Sequence, residues 1–315
     1  MRKLALLFSL LLLFACEKVP QTAQEQYRKG MEATKRRKWG KATLFLEKAL
    51  EGELSPRAKE QATLALADAY FSDGNCEGAV IHYEEFLELY PASPGARKAL
   101  LRVGICYLDL TKGPEWDQTF ARKALSAFEE FLKRYPDDPE VETARRYRHI
   151  ARSMLAEHEI YIAGTYDMVH KFVSSIKRYE EIMKNYKDVV SKERLEYLLG
   201  RAYYFTTVQA EEEIDRLWKE LKKEKKRAKS TDAREREVAR NRIELLKKDI
   251  AMWQELARKN RVKGEEILRK LLKEHPGSPY AVKARRILSG EKLLEVEEVK
   301  SPIKRSLWWK LKETL

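Results

Sequence analysis

One block of apolar and polar positions recurs along the chain. It reads YEEFLELYPASP from Tyr83, FEEFLKRYPDDP from Phe128, YEEIMKNYKD from Tyr179 and, more faintly, LRKLLKEHPGSP from Leu268. A small residue stands four positions before each start: Ala79, Ala124, Ser175 and Gly264. An apolar residue follows three positions after it: Phe86, Phe131, Ile182 and Leu271. Five positions further on stand Pro91, Pro136 and Pro276, with Lys187 in the remaining copy. Ala42, Leu46 and Ala49 repeat the pattern near the start. Steps of three and four put these positions on one helix face, and a proline ends that helix.

A second element precedes each copy, a small residue followed three positions later by a small or aromatic one. The pairs are Gly30/Ala33, Ala67/Tyr70, Gly104/Tyr107, Ala163/Tyr166 and Gly200/Tyr203. In three of the repeats twelve positions separate the two small residues, as in Gly30–Ala42, Ala67–Ala79 and Ala163–Ser175. This is the tetratricopeptide (TPR) pattern, in which small residues let two antiparallel helices cross closely. A lone hairpin cannot bury its apolar face, so hairpins stack. The pattern predicts an all-α superhelix of about five repeats, three over 23–140 and two over 141–290.

Two repeats carry insertions. DLTKGPEWDQTFARK widens the third, and about 52 extra residues separate Gly200 from Gly264 in the fifth. This insert, 206–261, lacks Pro and Gly and is dense in charge. Its apolar positions are Ile214, Leu217 and Leu221, then Val238, Leu245 and Met252 every seven, with Ile243 and Ile250 beside them. Ser230-Thr231-Asp232 reads as a turn and N-cap, with Glu235 completing a capping box. A charged, coiled-coil-like helical hairpin is expected, with one continuous helix as the competing reading. Ser289-Gly290 reads as the cap of the last repeat helix. The tail 291–315 carries Trp308 and Trp309 among Lys304, Arg305, Lys310 and Lys312, a composition suited to docking on the array, a partner or a membrane interface.

The first fifteen residues stand apart. Arg2 and Lys3 precede an apolar run from Leu4 to Phe14 broken only by Ser9. The run is too short to span a bilayer and reads as a signal peptide. Leu13-Phe14-Ala15-Cys16 resembles a bacterial lipobox, which makes Cys16 the expected lipidation site and 16–22 a tether to the lipid bilayer. Glu17 directly after that Cys favours inner-membrane retention in some bacteria, so these residues leave the choice of membrane open.

Composition agrees with a helical body. The chain is 36% charged and 43% hydrophobic, with only 13 Gly and 10 Pro, few for a long β-architecture. The formal net charge of +13 points, in an exported chain, to anionic lipid surfaces and acidic partners rather than nucleic acid. Cys76 and Cys106 show no metal spacing, and whether they pair is open at this level.

Chemistry is sparse. LAEHEIYIAG, from Leu155, contains half of the zinc motif H-E-x-x-H, but position 162 is Ile. No G-x-S-x-G, P-loop or G-x-G-x-x-G occurs. No enzyme activity, cofactor or metal is expected. Helix-A positions of repeats one and three place Arg28, Lys35, Lys98 and Arg102, with Tyr27 and Leu101 beside them, toward the groove of a TPR array. Basic and apolar groups together suit an extended peptide ending in an aromatic residue and a carboxylate.

A lipobox, about five TPR repeats, and RRYRHIARSMLAEHEIYIAGTY entering the fourth together resemble the BamD family of outer-membrane assembly lipoproteins. The resemblance covers roughly Met1 to Tyr204 and resumes at Gly264 to Leu288; the insert and tail depart from it. It implies a lipid-anchored scaffold on the periplasmic face of the outer membrane. Such a scaffold docks a BamA-like barrel-assembly protein with periplasmic repeats and receives unfolded outer-membrane barrel substrates. It also implies that Arg178, with His158 and Glu159, contacts the barrel partner. The alternative reading is a periplasmic TPR lipoprotein serving secretin assembly or cell-wall and division machinery.

Overall fold

The computed structural model describes residues 22–291; the signal segment, Cys16 and the Trp308/Trp309 tail lie outside them. The described residues form eleven helices and no strand. They are α1 Ala23–Lys35, α2 Trp39–Leu50, α3 Pro56–Asp73, α4 Cys76–Leu89, α5 Ala96–Leu110, α6 Thr119–Arg134, α7 Val141–Met168, α8 Phe172–Asn185, α9 Lys192–Arg227, α10 Ala233–Glu274 and α11 Pro279–Leu288. The helix ends follow local chemistry. Ser55 and Ser191 accept backbone N–H groups at the starts of α3 and α9, Pro56 fills the first turn of α3, and left-handed Gly74 (φ +83°) ends it. α4, α6 and α10 each stop two residues before a proline: Pro91, Pro136 and Pro276.

The chain divides into two compact units, one of residues up to 111 with 119–148, the other of 112–118 with the residues from 149 on. In the first unit α1 to α6 pair as three hairpins, and Leu46, Leu66, Tyr83, Phe86, Phe128 and Phe131 are fully buried. Cys76 and Cys106 are buried free thiols; a hydrogen bond to Cys76, then burial, pushes the Cys106 thiol well up. In the second unit Ile160, Phe172, Tyr179, Ile182, Leu195 and Leu268 form one core with Ala284 and Ile287 of α11. The closest approach is at Gly264: a Cβ there would stand 2.5 Å from the Tyr204 nitrogen and 2.8 Å from the Gly200 oxygen. Backbone meets backbone, which only glycine permits.

One hydrogen bond recurs at a fixed separation of 23 residues. The hydroxyls of Tyr70, Tyr107 and Tyr203 donate to Glu47, Glu84 and Glu180, each tying the first helix of a repeat to the second helix of the preceding one. In two of these junctions a lysine from the next helix closes the group. Lys123 lies 3.2 Å from the Tyr107 hydroxyl and 3.3 Å from Glu84, and Lys263 bonds the Tyr203 hydroxyl and lies 3.5 Å from Glu180.

The insert is a hairpin. α9 runs unbroken from the fifth repeat to Arg227, the chain turns over 228–232, and α10 returns to Glu274. The single continuous helix is therefore excluded. Asp232 caps α10, accepting from the Arg234 and Glu235 N–H groups, but Glu235 turns away from the expected capping box to bond Ser230 and Arg227. The seam also corrects the apolar reading. Leu217 and Leu221 pack on Leu246 and Ile250, with Ile214, Ile243 and Trp253 at the margin. Val238, Leu245 and Met252 are more than half exposed on the outer face.

Candidate functional site: the Glu157–Glu159 hub and the basic helix faces

Successive residues of a helix point about 100° apart, so three in a row can reach three different neighbours. Glu157, His158 and Glu159 of α7 do this within the second unit. Glu157 takes a bidentate guanidinium from Arg194 at the start of α9, with one N–O distance of 2.9 Å. His158 lies with Nδ1 2.6 Å from the Pro114 carbonyl, so Nδ1–H donates and holds the 112–118 loop. Glu159 accepts from Arg178 of α8 at 2.8 Å, and both side chains are 35% exposed. The Arg178 guanidinium also lies 5.6 Å from the Tyr166 ring centre. The structure thus brings Glu159 and Arg178 together as a half-exposed ion pair and turns His158 inward to a loop. Nearby, Arg152 bonds Asp188 at 2.7 and 2.9 Å and the Asn185 carbonyl, and holds the Asp188 carboxyl below its ordinary range.

Beneath this surface is a group that reading the residues one at a time did not find. Asp167 of α7 pairs with Arg201 of α9 and accepts the Tyr179 hydroxyl at 2.9 Å. Arg201 is 2% exposed and Asp167 1%. Burial works against the guanidinium charge, and Asp167 with Tyr179 and Tyr197 overcomes it, holding the group above its ordinary range. The one available signal is spacing: Asp167 and Arg201 are 34 residues apart, one TPR repeat.

The first unit repeats the arrangement at the same separation. Asp68 of α3 binds Arg102 of α5 at 2.8 Å, 34 residues on, and accepts the Tyr83 hydroxyl at 2.6 Å. Lys98 joins at 2.6 Å, and Arg102 lies 4.8 Å above the Phe71 ring. Of the groove residues, Lys98 and Arg102 are thus already engaged by Asp68. Leu101 corrects the sequence expectation: it is 5% exposed and belongs to the core. Arg28 and Lys35 are exposed on α1 and share a surface recess with Tyr27 and Met31. Tyr27 donates to Gln61 at 2.6 Å. Among the described residues neither Arg28 nor Lys35 has an ion-pair partner.

One group of metal-capable side chains exists among the described residues, Glu196, Glu274 and His275, whose donor atoms lie within 4.8 Å of one another. Two ammonium groups already serve it. Lys192 lies 2.9 Å from Glu274 and 3.7 Å from Glu196, and Lys270 lies 3.5 Å from Glu196. Glu193 faces His275 Nδ1 at 3.3 Å. The arrangement balances charge where the start of α9 meets the end of α10.

A family model described as YfiO, outer membrane lipoprotein, matches residues 20–217. The chain is 26% identical over 286 residues to a putative outer membrane protein assembly factor BamD of Aquifex aeolicus, covering 88% of this chain and 93% of that one. It is 25% identical over 198 residues to the outer membrane protein assembly factor BamD of Vibrio cholerae, covering 58% of this chain and 82% of the relative. Among solved structures, the TPR domain of P58(IPK) is similar at TM-score 0.36 and 15% identity, covering 85% of this chain and 66% of that one. The TPR2AB domain of yeast Sti1 in its pHSP90 complex is similar at TM-score 0.32 and 17% identity, covering 85% and 96%.

Proposed function

Because the chain belongs to the YfiO family of outer membrane lipoproteins, we propose that it is a non-enzymatic scaffold in the assembly of outer-membrane β-barrels. It is held at the periplasmic face of the outer membrane by a lipid on Cys16. It docks a BamA-like barrel-assembly protein and receives unfolded barrel substrates. The observation that carries this reading is the half-exposed Arg178–Glu159 pair, which lies within the family-matched residues. A guanidinium held in place by one carboxylate and an aromatic face keeps donors for a second carboxylate on a partner. Glu157 and His158 fix α7, the helix that carries its Glu159 partner.

Copurification with the lipidated full chain tests the reading. We expect recovery of an outer-membrane barrel protein carrying periplasmic repeats, and a loss of about tenfold or more with Arg178→Glu, in line with truncated interfacial charge pairs. Recovery of secretins or cell-wall enzymes instead overturns the function, and unchanged recovery overturns the role of Arg178. The substrate face is tested at Arg28 and Lys35, because Arg102 also holds Asp68 and its reversal damages the fold. Arg28→Glu with Lys35→Glu should weaken binding of a barrel C-terminal peptide; unchanged affinity removes α1 from the site.

A further inference from the structure

The family match ends at residue 217, before most of the hairpin. From Lys219 to Arg242 the chain carries eleven Lys and Arg against five Asp and Glu. The hairpin's own structure uses most of those carboxylates. Glu220 takes Arg216 and Arg242, Glu224 takes Arg227, Glu235 takes Arg227 and Ser230, and Asp232 caps α10. Lys222, Lys223, Lys225 and Lys226 are exposed, and among the described residues none has an ion-pair partner.

Their placement is directional. Lys222 stands four residues after Trp218, and Lys225 and Lys226 three and four after Lys222, so the four fall on one face of α9, with Lys223 at its edge. That face flanks the seam filled by Leu217 and Leu221, with Lys225 at its border and Lys222 and Lys226 turned further from it. Trp218 is half exposed at its inner end. An exposed tryptophan followed by unneutralised lysines is the composition of a helix lying in a membrane interface. The indole sits at headgroup depth, and the long lysine stems bring ammonium groups to phosphates.

We propose that this face of α9 rests on an anionic phospholipid surface and gives the chain a second membrane contact, independent of any acyl anchor. Lysine suits this better than a shaped acidic pocket would demand, since it acts as a mobile point charge without a bidentate geometry to satisfy. The attraction is electrostatic and falls off within a Debye length.

Cosedimentation of the full chain carrying Cys16→Ser, so that no lipid is attached, provides the test. The vesicles are equimolar phosphatidylglycerol and phosphatidylcholine, against phosphatidylcholine alone. We expect binding to the anionic vesicles about tenfold or more tighter than to the neutral ones, lost at high salt. Changing Lys222, Lys223, Lys225 and Lys226 to Gln should weaken anionic-vesicle binding by about tenfold or more, and Trp218→Ala by a smaller factor. Neutralising the exposed Lys41, Lys48, Lys59 and Lys133 of the first unit is the charge-matched control and should change little. All these sites are solvent-facing, so circular dichroism should match across variants. The proposal is overturned by equal losses in the two quadruple variants or by no preference for anionic vesicles. Binding to poly-glutamate that depends on the four lysines while vesicles are ignored also overturns it, in favour of an acidic protein partner.

Discussion

The two Asp–Tyr–Arg groups are one device built at two depths. Both join an aspartate on the first helix of a repeat to an arginine 34 residues later and to a tyrosine midway along the next helix. In the first unit the pair keeps 16–18% of its side-chain surface exposed, and Lys98 joins from solvent. In the second unit the pair is almost wholly dry. A buried ion pair adds little net stability compared with apolar packing, but losing one partner leaves a charge stranded. The second unit's pair is therefore a strict constraint on how α7, α8 and α9 meet, while the first unit's pair can trade its bonds with water.

The comparison breaks most visibly at Arg201. Arg201→Ala should destabilise the second unit by about 3–5 kcal/mol, read by chemical unfolding or by loss of amide protection in α7 to α9. Adding Asp167→Asn should recover part of that loss, which is the signature of a stranded charge rather than lost packing. Next comes Gly264→Ala, which forces backbone apart in the same unit and should cost about 2–3 kcal/mol. Gly104→Ala in the first unit, at the position equivalent to Gly200, meets the side chain of Phe128 and should cost less. Asp68→Asn should follow at about 1–2 kcal/mol, because water reaches the groups it leaves behind.

Alkali probes the first unit from another side. Tyr70 is pushed up to about 12 by its bond to Glu47 and by burial, and Tyr147 to about 12 by burial. Tyr83 is raised by burial and Asp68 against the pull of Arg102. A tyrosine that keeps its proton longer when folded contributes stability that is complete below about pH 10 and declines as pH rises toward the folded value. Thermal unfolding temperature should therefore fall between about pH 10 and 12, and Tyr70→Phe should flatten the fall. The smallest effect on stability belongs to Arg178→Glu, below about 1 kcal/mol, because its pair with Glu159 is half-exposed. A large loss there would show that the pair serves the fold rather than a partner.

Much of this architecture can be read from residue spacing. The four-three-five pattern places the helix pairs, and Pro91, Pro136 and Pro276 end helices as that pattern requires. Capping chemistry locates the turn of the insert at Asp232. Periodicity failed where two apolar sets competed on α10. Val238, Leu245 and Met252 keep the better heptad, yet the seam belongs to Ala239, Leu246 and Ile250. Only the facing helix decides between the sets, and a one-dimensional pattern does not contain it. Leu101 and Arg201 fail for a related reason. Leu101 is placed by residue type, as an apolar neighbour of a basic stripe, and Arg201 carries no reading of its own, because the burial of both depends on the next repeat. Glu157, His158 and Glu159 stood out as a run, but their three separate targets appear only once α8, α9 and the 112–118 loop are in place.

The clasp made by Lys263 with Tyr203 and Glu180 has a wider consequence. Lys123, Tyr107 and Glu84 make the same clasp in the third repeat, where 16 residues separate the lysine from the tyrosine; in the fifth repeat 60 do. The array thus meets identical chemistry on both sides of a detour whose length it does not register, and closing a longer loop adds only slowly to the entropic cost. In engineering terms the fifth repeat is a socket, with fixed contacts at its rim and freedom in what is plugged in. Any antiparallel helical pair whose ends match that rim can be exchanged there without renegotiating the stack.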